Sequence, residues 1–195
     1  MPAPPQTPRG VATYQRIVDA ATKEFAEHGI AGARVERIVT TARTNKAQLY
    51  AYFGDKDQLF DTIFLGLMDR ITNAVPIDAD DLADWAVRLY DEYLHRPDII
   101  RLATWSRLER RSSGHLAETH EDHDEAKLAA ITEAQSAGRV RRGDPFDIMA
   151  MVIAMSMAWS PVSTVYAATD DEPETVHESR RALLRDCVRR ATAPE

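Results

Sequence analysis

The chain has 195 residues, 44% of them apolar and 28% charged, which suits one or two domains with a real core and excludes a disordered or fibrous protein. A single cysteine, Cys187, excludes an internal disulfide and a zinc site of paired cysteines, and the longest apolar stretch, 148–159, is too short to span a bilayer as a helix. The formal net charge is −7, yet residues 1–56 carry eight Lys/Arg against five Asp/Glu, a net +3 that leaves −10 on the remainder. A small basic head on an acidic body fits a protein whose head alone meets phosphates.

Residues 1–9 hold four prolines and no apolar period, and are expected to form a mobile tail; nothing in them resembles a secretory signal, so the cytoplasm is the expected compartment. From Val11 the apolar residues at 11, 14, 17, 18, 21 and 25 make a helical stripe that Gly29 ends. A short helix follows from Val35 to Ala42. Asn45 with Gln48 three positions later forms a capping-box pattern and starts a helix through Tyr52. Asp55 and Gln58 repeat the pattern before a long helix that Pro76 stops. Further on, helices are expected over 80–94, from Pro97 onward, over 115–137 with Gly138 closing it, from Phe146 past Trp159 with an interruption at Pro161, and over 174–191. No strand-like alternation and no internal repeat occurs, so the fold expected is all-α with about nine helices.

The three short helices at the start have the geometry a major groove accepts, the third being the reading helix. Its outward residues would be Lys46, Ala47, Gln48 and Ala51, with Leu49 and Phe53 anchoring it to Ile38 and Ala42. Gln48 can pair in bidentate fashion with adenine, and Lys46, Tyr50 and Tyr52 carry groups that suit phosphate oxygens. Lys56, at the start of the next helix, sits where the helix dipole also favours an anion. The competing reading is that Gln48 only caps its helix and that the tyrosines pack beneath it.

Arg16 to Phe25, Gly29, Val35 to Ile38, Ala42, Asn45 to Phe53 and Gly54 to Phe60 together resemble, in order and spacing, the DNA-binding domain of the tetracycline-repressor family. The resemblance covers about residues 11–70 and implies a helix-turn-helix domain over 10–55, followed over 56–195 by a helical domain that dimerises and binds an inducer. It implies a repressor of palindromic double-stranded operator DNA, released by a small molecule, with Lys46, Gln48, Tyr50, Tyr52 and Lys56 as DNA contacts; Thr44 and Asn45 complete the expected set. Three departures from the family pattern matter. Arg43 stands at the turn where glycine is usual, Ala33-Arg34 replaces the usual cap of the second helix, and Ala47 stands where glycine is frequent. Arg34 is accordingly expected to take over a phosphate contact.

In the second domain, Phe64, Met68, Trp85, Leu89, Tyr93, Trp105, Met155 and Trp159 lie on inward stripes and could line a pocket for a small apolar or aromatic ligand. The segment 148–157 is apolar on nearly every face and, with the stripe of the last helix, is expected to form a homodimer interface as a four-helix bundle. His120 and Asp124, within the acidic run 115–125, have the spacing of a shared metal site, but such runs are usually solvated surface, and no metal or cofactor is expected. The alternatives are a regulator without a small-molecule ligand or, from another class, a helical enzyme or binding protein. An enzyme would need residues to carry catalysis, and no phosphate-binding glycine loop, Gly-x-Ser-x-Gly or His-Glu-x-x-His motif is present.

Overall fold

A computed structural model describes residues 5–116 and 121–194, residues 121–124 by their backbone alone. Among these residues the chain is all-α, with nine helices: α1 (Pro8–Gly32), α2 (Val35–Thr41), α3 (Lys46–Phe53), α4 (Lys56–Ala74), α5 (Leu82–His95), α6 (Pro97–Glu109), α7 (Glu121–Ser136), α8 (Pro145–Ser156) and α9 (Glu174–Thr192). None of them is long and apolar enough to cross a membrane. The described residues form two compact units, one reaching to Asp69 and including Asp98–Leu116, the other made of Arg70–Pro97 and residues 121–194. This division does not follow the boundary expected at residues 55 and 56, because the first turns of α4 and nearly all of α6 pack with the three N-terminal helices.

In the first unit, the stripe of α1 buries Ile17, Ala21 and Phe25. Phe25 meets Phe60 of α4 edge to face at 5.2 Å, and Phe60 stacks on Phe64 at 5.8 Å. Each such ring contributes about 1.5–3 kcal/mol by leaving water. The helix begins earlier than the apolar stripe suggests, so residues 8 and 9 form its first turn and not part of a tail. Pro8 occupies a first-turn position, where a missing N–H costs nothing, and the Thr7 hydroxyl accepts from Gly10 N at 3.2 Å. At the other end Gly29, at φ 74°, breaks the helical path.

The second unit is built on α5, which packs against α8 and α9, while α8 also packs on α7. Its core holds Trp85, Leu89, Tyr90, Ile131, Met149, Val152, Leu184 and Val188. Two expected spans are shorter here. Residues 110–116 are turns, with Gly114 at φ 70°, so helix is not present at 115 and 116. And α8 stops at Ser156, before Trp159, with Met157 as its last cap. Pro161 has no N–H to give Met157 O and its ring crowds that carbonyl, so the expected interruption falls a turn ahead of the proline. Gly138 closes α7 at φ 71°, and Asp144 caps α8 through Phe146 N at 2.8 Å, both as the sequence implies.

Candidate nucleic-acid interface

The turn between α2 and α3 is a Schellman motif: Thr44 N donates to Val39 O at 3.0 Å and Arg43 N to Thr40 O at 3.2 Å. This motif places its C′ residue in the left-handed region, and Arg43 sits there at φ 52°, the sole non-glycine with positive φ among the described residues. The turn therefore keeps the geometry glycine would give and accepts the strain of a side chain. That guanidinium is exposed and makes no hydrogen bond or ion pair with the described residues.

Leu49 and Phe53, both fully buried, fix α3 against α2, whose Ile38, Val39 and Ala42 are buried in turn. Lys46, Ala47, Tyr50 and Ala51 are left exposed. Asn45 caps the helix, its Oδ1 accepting from Gln48 N at 2.9 Å. The reciprocal half of the capping box is replaced by another network. Thr44 Oγ1 donates to Gln48 Oε1 at 2.7 Å, and Gln48 Nε2 donates to the Tyr52 hydroxyl at 3.2 Å. Gln48 is thus held half-exposed by neighbours on both sides. Tyr52 packs inward, near Tyr14 at 6.0 Å, while Tyr50 is 43% exposed.

Lys46 is paired with Glu36 of α2 on the surface, and that ammonium holds the Glu36 carboxyl below its ordinary range. Arg34 is exposed at the start of α2 and gives no side-chain cap. The missing hydroxyl is replaced from α1. Buried Glu24 accepts from Arg34 N at 2.9 Å and from Arg37 Nε at 2.8 Å. Burial pushes the Glu24 carboxyl up, but Arg37, the Arg34 amide and His28 outweigh it and hold it below the usual value. Arg16 caps the far end of α2, donating from Nε to Ala42 O at 3.0 Å.

Lys56 is engaged differently from the expectation. Its ammonium donates to three carbonyls at the broken end of α1: Ile30 O at 2.7 Å, Ala33 O at 3.2 Å and Ala31 O at 3.3 Å. All three of its donors are occupied, so it closes a helix end and leaves no N–H for phosphate. Glu109 of α6 serves the same segment with the opposite charge, accepting from Ala31 N at 2.7 Å and Ile30 N at 3.2 Å.

The residues expected to form one ligand pocket are divided between the two units. Phe64, Met68 and Trp105 belong to the first unit, where Trp105 Nε1 donates to Ala26 O at 3.3 Å. Trp85 and Leu89 are core of the second unit, the indole N–H donating to Val75 O at 3.1 Å. Met155 is half-buried. Only Tyr93 and Trp159 share a wall, that of a narrow cavity of about 10 Å³ lined also by Tyr90, Leu94, Ser160 and Pro161. An inward stripe tells that a residue is covered; it does not tell by which neighbour. A wider hollow of about 600 Å³ in the same unit has charged walls, where Arg88 pairs with Asp84 and Arg139 with Asp80. On the outer side of α8 and α9, Met151 and Leu183 are 59% and 55% exposed, with Ala154 and Cys187 also exposed. His120 and the side chain of Asp124 lie outside the described residues, and no other cluster that could hold a metal occurs among the described ones.

Two family models match the chain: bacterial regulatory proteins of the tetR family over residues 17–63, and the tetracyclin repressor-like C-terminal domain over residues 81–190. The HTH-type transcriptional repressor SCO4008 of Streptomyces coelicolor is 39% identical over 148 residues, 74% of this chain and 77% of the relative. The solved structure of SCO4942 from the same organism superposes with a TM-score of 0.77 at 34% identity, covering 92% of this chain and 98% of that one. AibR, solved with isovaleryl coenzyme A and operator DNA, shares the fold at a TM-score of 0.64 and 17% identity, over 88% of this chain and 97% of its own.

Proposed function

Because the chain belongs to the tetracycline-repressor family of bacterial transcription regulators, we propose that it is a cytoplasmic repressor, binding a palindromic operator as a homodimer and leaving it when a small molecule occupies the second unit. The observation that carries this reading is the exposed edge of α3, with Lys46, Ala47, Tyr50 and Ala51 free of the core on a helix that a tight turn and two buried anchors hold still. A rigid helix with small and polar outward residues can enter a major groove about 12 Å wide, and two copies reach half-sites roughly 34–36 Å apart.

Within that edge, Lys46 and Arg43 supply phosphate contacts, with Arg34 beside the start of α2. Gln48 reads a base, its amide aimed by Thr44 and Tyr52. Thr44, Asn45 and Tyr52 act mainly by positioning, and Tyr50 reaches the backbone. Lys56 drops from the contact set. Dimerisation runs through the exposed apolar side of α8 and α9, as the family would have it. That AibR was solved with both a ligand and operator DNA supports the ligand-responsive form of the reading.

Selection of bound fragments from genomic DNA by the purified protein is the test. A symmetric site should emerge, with affinity falling steeply as salt rises. Gln48→Ala should lose about 1–3 kcal/mol of preference at one base pair per half-site and little affinity for random DNA. No preference for any fragment over random DNA would defeat the proposal.

A further inference from the structure

Around Tyr90 and Trp159 the second unit has three buried polar atoms with no hydrogen-bond partner among the described residues: Ser160 Oγ, His177 Nε2 and the Nη1 of Arg180. Ser160 and His177 are 5% and 2% exposed. An unmatched buried polar group costs about 1–3 kcal/mol, so three in one neighbourhood call for something that completes them.

They gather around two rings. The Tyr90 hydroxyl hydrogen-bonds His177 Nδ1 at 2.7 Å, and the Tyr90 ring meets Trp159 edge to face at 5.8 Å. The Arg180 guanidinium lies 5.8 Å from the Trp159 ring centre and 5.3 Å from that of Tyr166, its Nη2 held by Glu172 at 2.8 Å. Ser160, Tyr90 and Trp159 all line the narrow cavity.

The hydrogens can be assigned. Burial pushes the Tyr90 phenol up, against the pull of the neighbouring Arg180, so the phenol keeps its proton. The buried Tyr90 hydroxyl turns that proton to His177 Nδ1, 2.7 Å away. The ring hydrogen of His177 then sits on Nε2. All three unmatched groups are therefore able to donate, and one of them carries charge. A carboxylate accepts only, through two oxygens, and its bonds to charged donors are the strong ones. An amide or amine brings N–H groups that would meet donors. Ser160 lines the cavity itself, while His177 and Arg180 touch its Tyr90 and Trp159 walls; these two rings with Tyr93, Leu94 and Pro161 suit a flat apolar body.

We propose that this pocket binds a small aromatic carboxylate and that such an acid is the effector, an assignment that rests on the ligand-responsive reading above. With about 10 Å³ of room, the cavity admits the acid as residues 161–169 move aside, a stretch without helix fastened across it by Ala168 N donating to Trp159 O at 2.9 Å. Calorimetric titration of the full-length protein with benzoate, salicylate, phenylacetate and indole-3-acetate, each beside its amide, tests this. At least one acid should bind tenfold or more tightly than its amide. Arg180→Gln should erase that margin, and Ser160→Val should reduce it several-fold with unchanged circular dichroism. Failure of all four acids to bind, equal binding of acid and amide, or acid binding untouched by Ser160→Val would overturn the assignment. The acid–amide comparison and Ser160→Val decide alone should Arg180→Gln not fold. Operator binding is measured without acid in parallel. A selected operator with no acid bound rejects the pocket and leaves the regulator, whereas acid binding with no selected DNA does the reverse.

Discussion

Arg43 combines a strained backbone with a free cation at the tightest point of the helix-turn-helix. A left-handed conformation costs an ordinary L-residue about 1–2 kcal/mol, and glycine recovers most of that while its unfolded chain is freer. Arg43→Gly should therefore raise stability by about 0.5–1 kcal/mol in urea denaturation. The same change removes a charge next to α3, so the salt dependence of DNA binding should flatten by about one phosphate contact. A variant that gains stability while losing affinity would show that the strain is retained for the charge. Gln48 presents the converse case. That its backbone N–H receives the Asn45 cap was legible from its place three residues on, but its side chain's grip on Thr44 and Tyr52, in place of the reciprocal cap, was not, since nothing in the spacing says which way an amide turns.

At the level of helices, the sequence is readable where the physics is local. The caps at Asn45, Asp55 and Asp144 reach backbone groups two or three residues ahead, and each formed where its pattern stands. The groups that close α1 and α2 against their neighbours were not readable, because their partners are far along the chain. Glu24 meets Arg37 thirteen positions on, Lys56 meets Ile30 from twenty-six, and Glu109 meets it from seventy-nine. The expectation for Lys56 rested on its sequence neighbours, which favour an anion, while a distant helix end offers its ammonium three carbonyls. Lys56→Met should cost about 1–3 kcal/mol of stability and leave the salt slope of DNA binding unchanged. Glu24 gives a second test. Its carboxyl titrates below the usual range when folded, so its stabilisation is present above the unfolded value near 4.3 and is lost as pH falls through the folded one. Glu24→Gln should accordingly lower the urea midpoint at pH 7 and change it far less at pH 3.

For the molecule as a whole, the proposed repressor needs two heads, and the exposed side of α8 and α9 is where the proposal puts the contact between them. Leu183→Glu places a charge on that surface and should shift sedimentation toward monomer, lowering operator affinity by far more than the loss of one phosphate contact while circular dichroism stays constant. An unchanged sedimentation coefficient would move the interface elsewhere. A genome also presents the regulator with a vast excess of duplex that is not its operator. The pairing of Lys46 with Glu36 bears on that competition, for the carboxylate occupies the lysine as a phosphate would. Any duplex must evict this resident rival before it gains the lysine, and random sequence has only its backbone charge to offer in exchange. An operator adds contacts to its bases and can meet the cost. On the proposed reading of Lys46, the acid on α2 is an internal filter, holding down idle attachment to DNA without touching a single base.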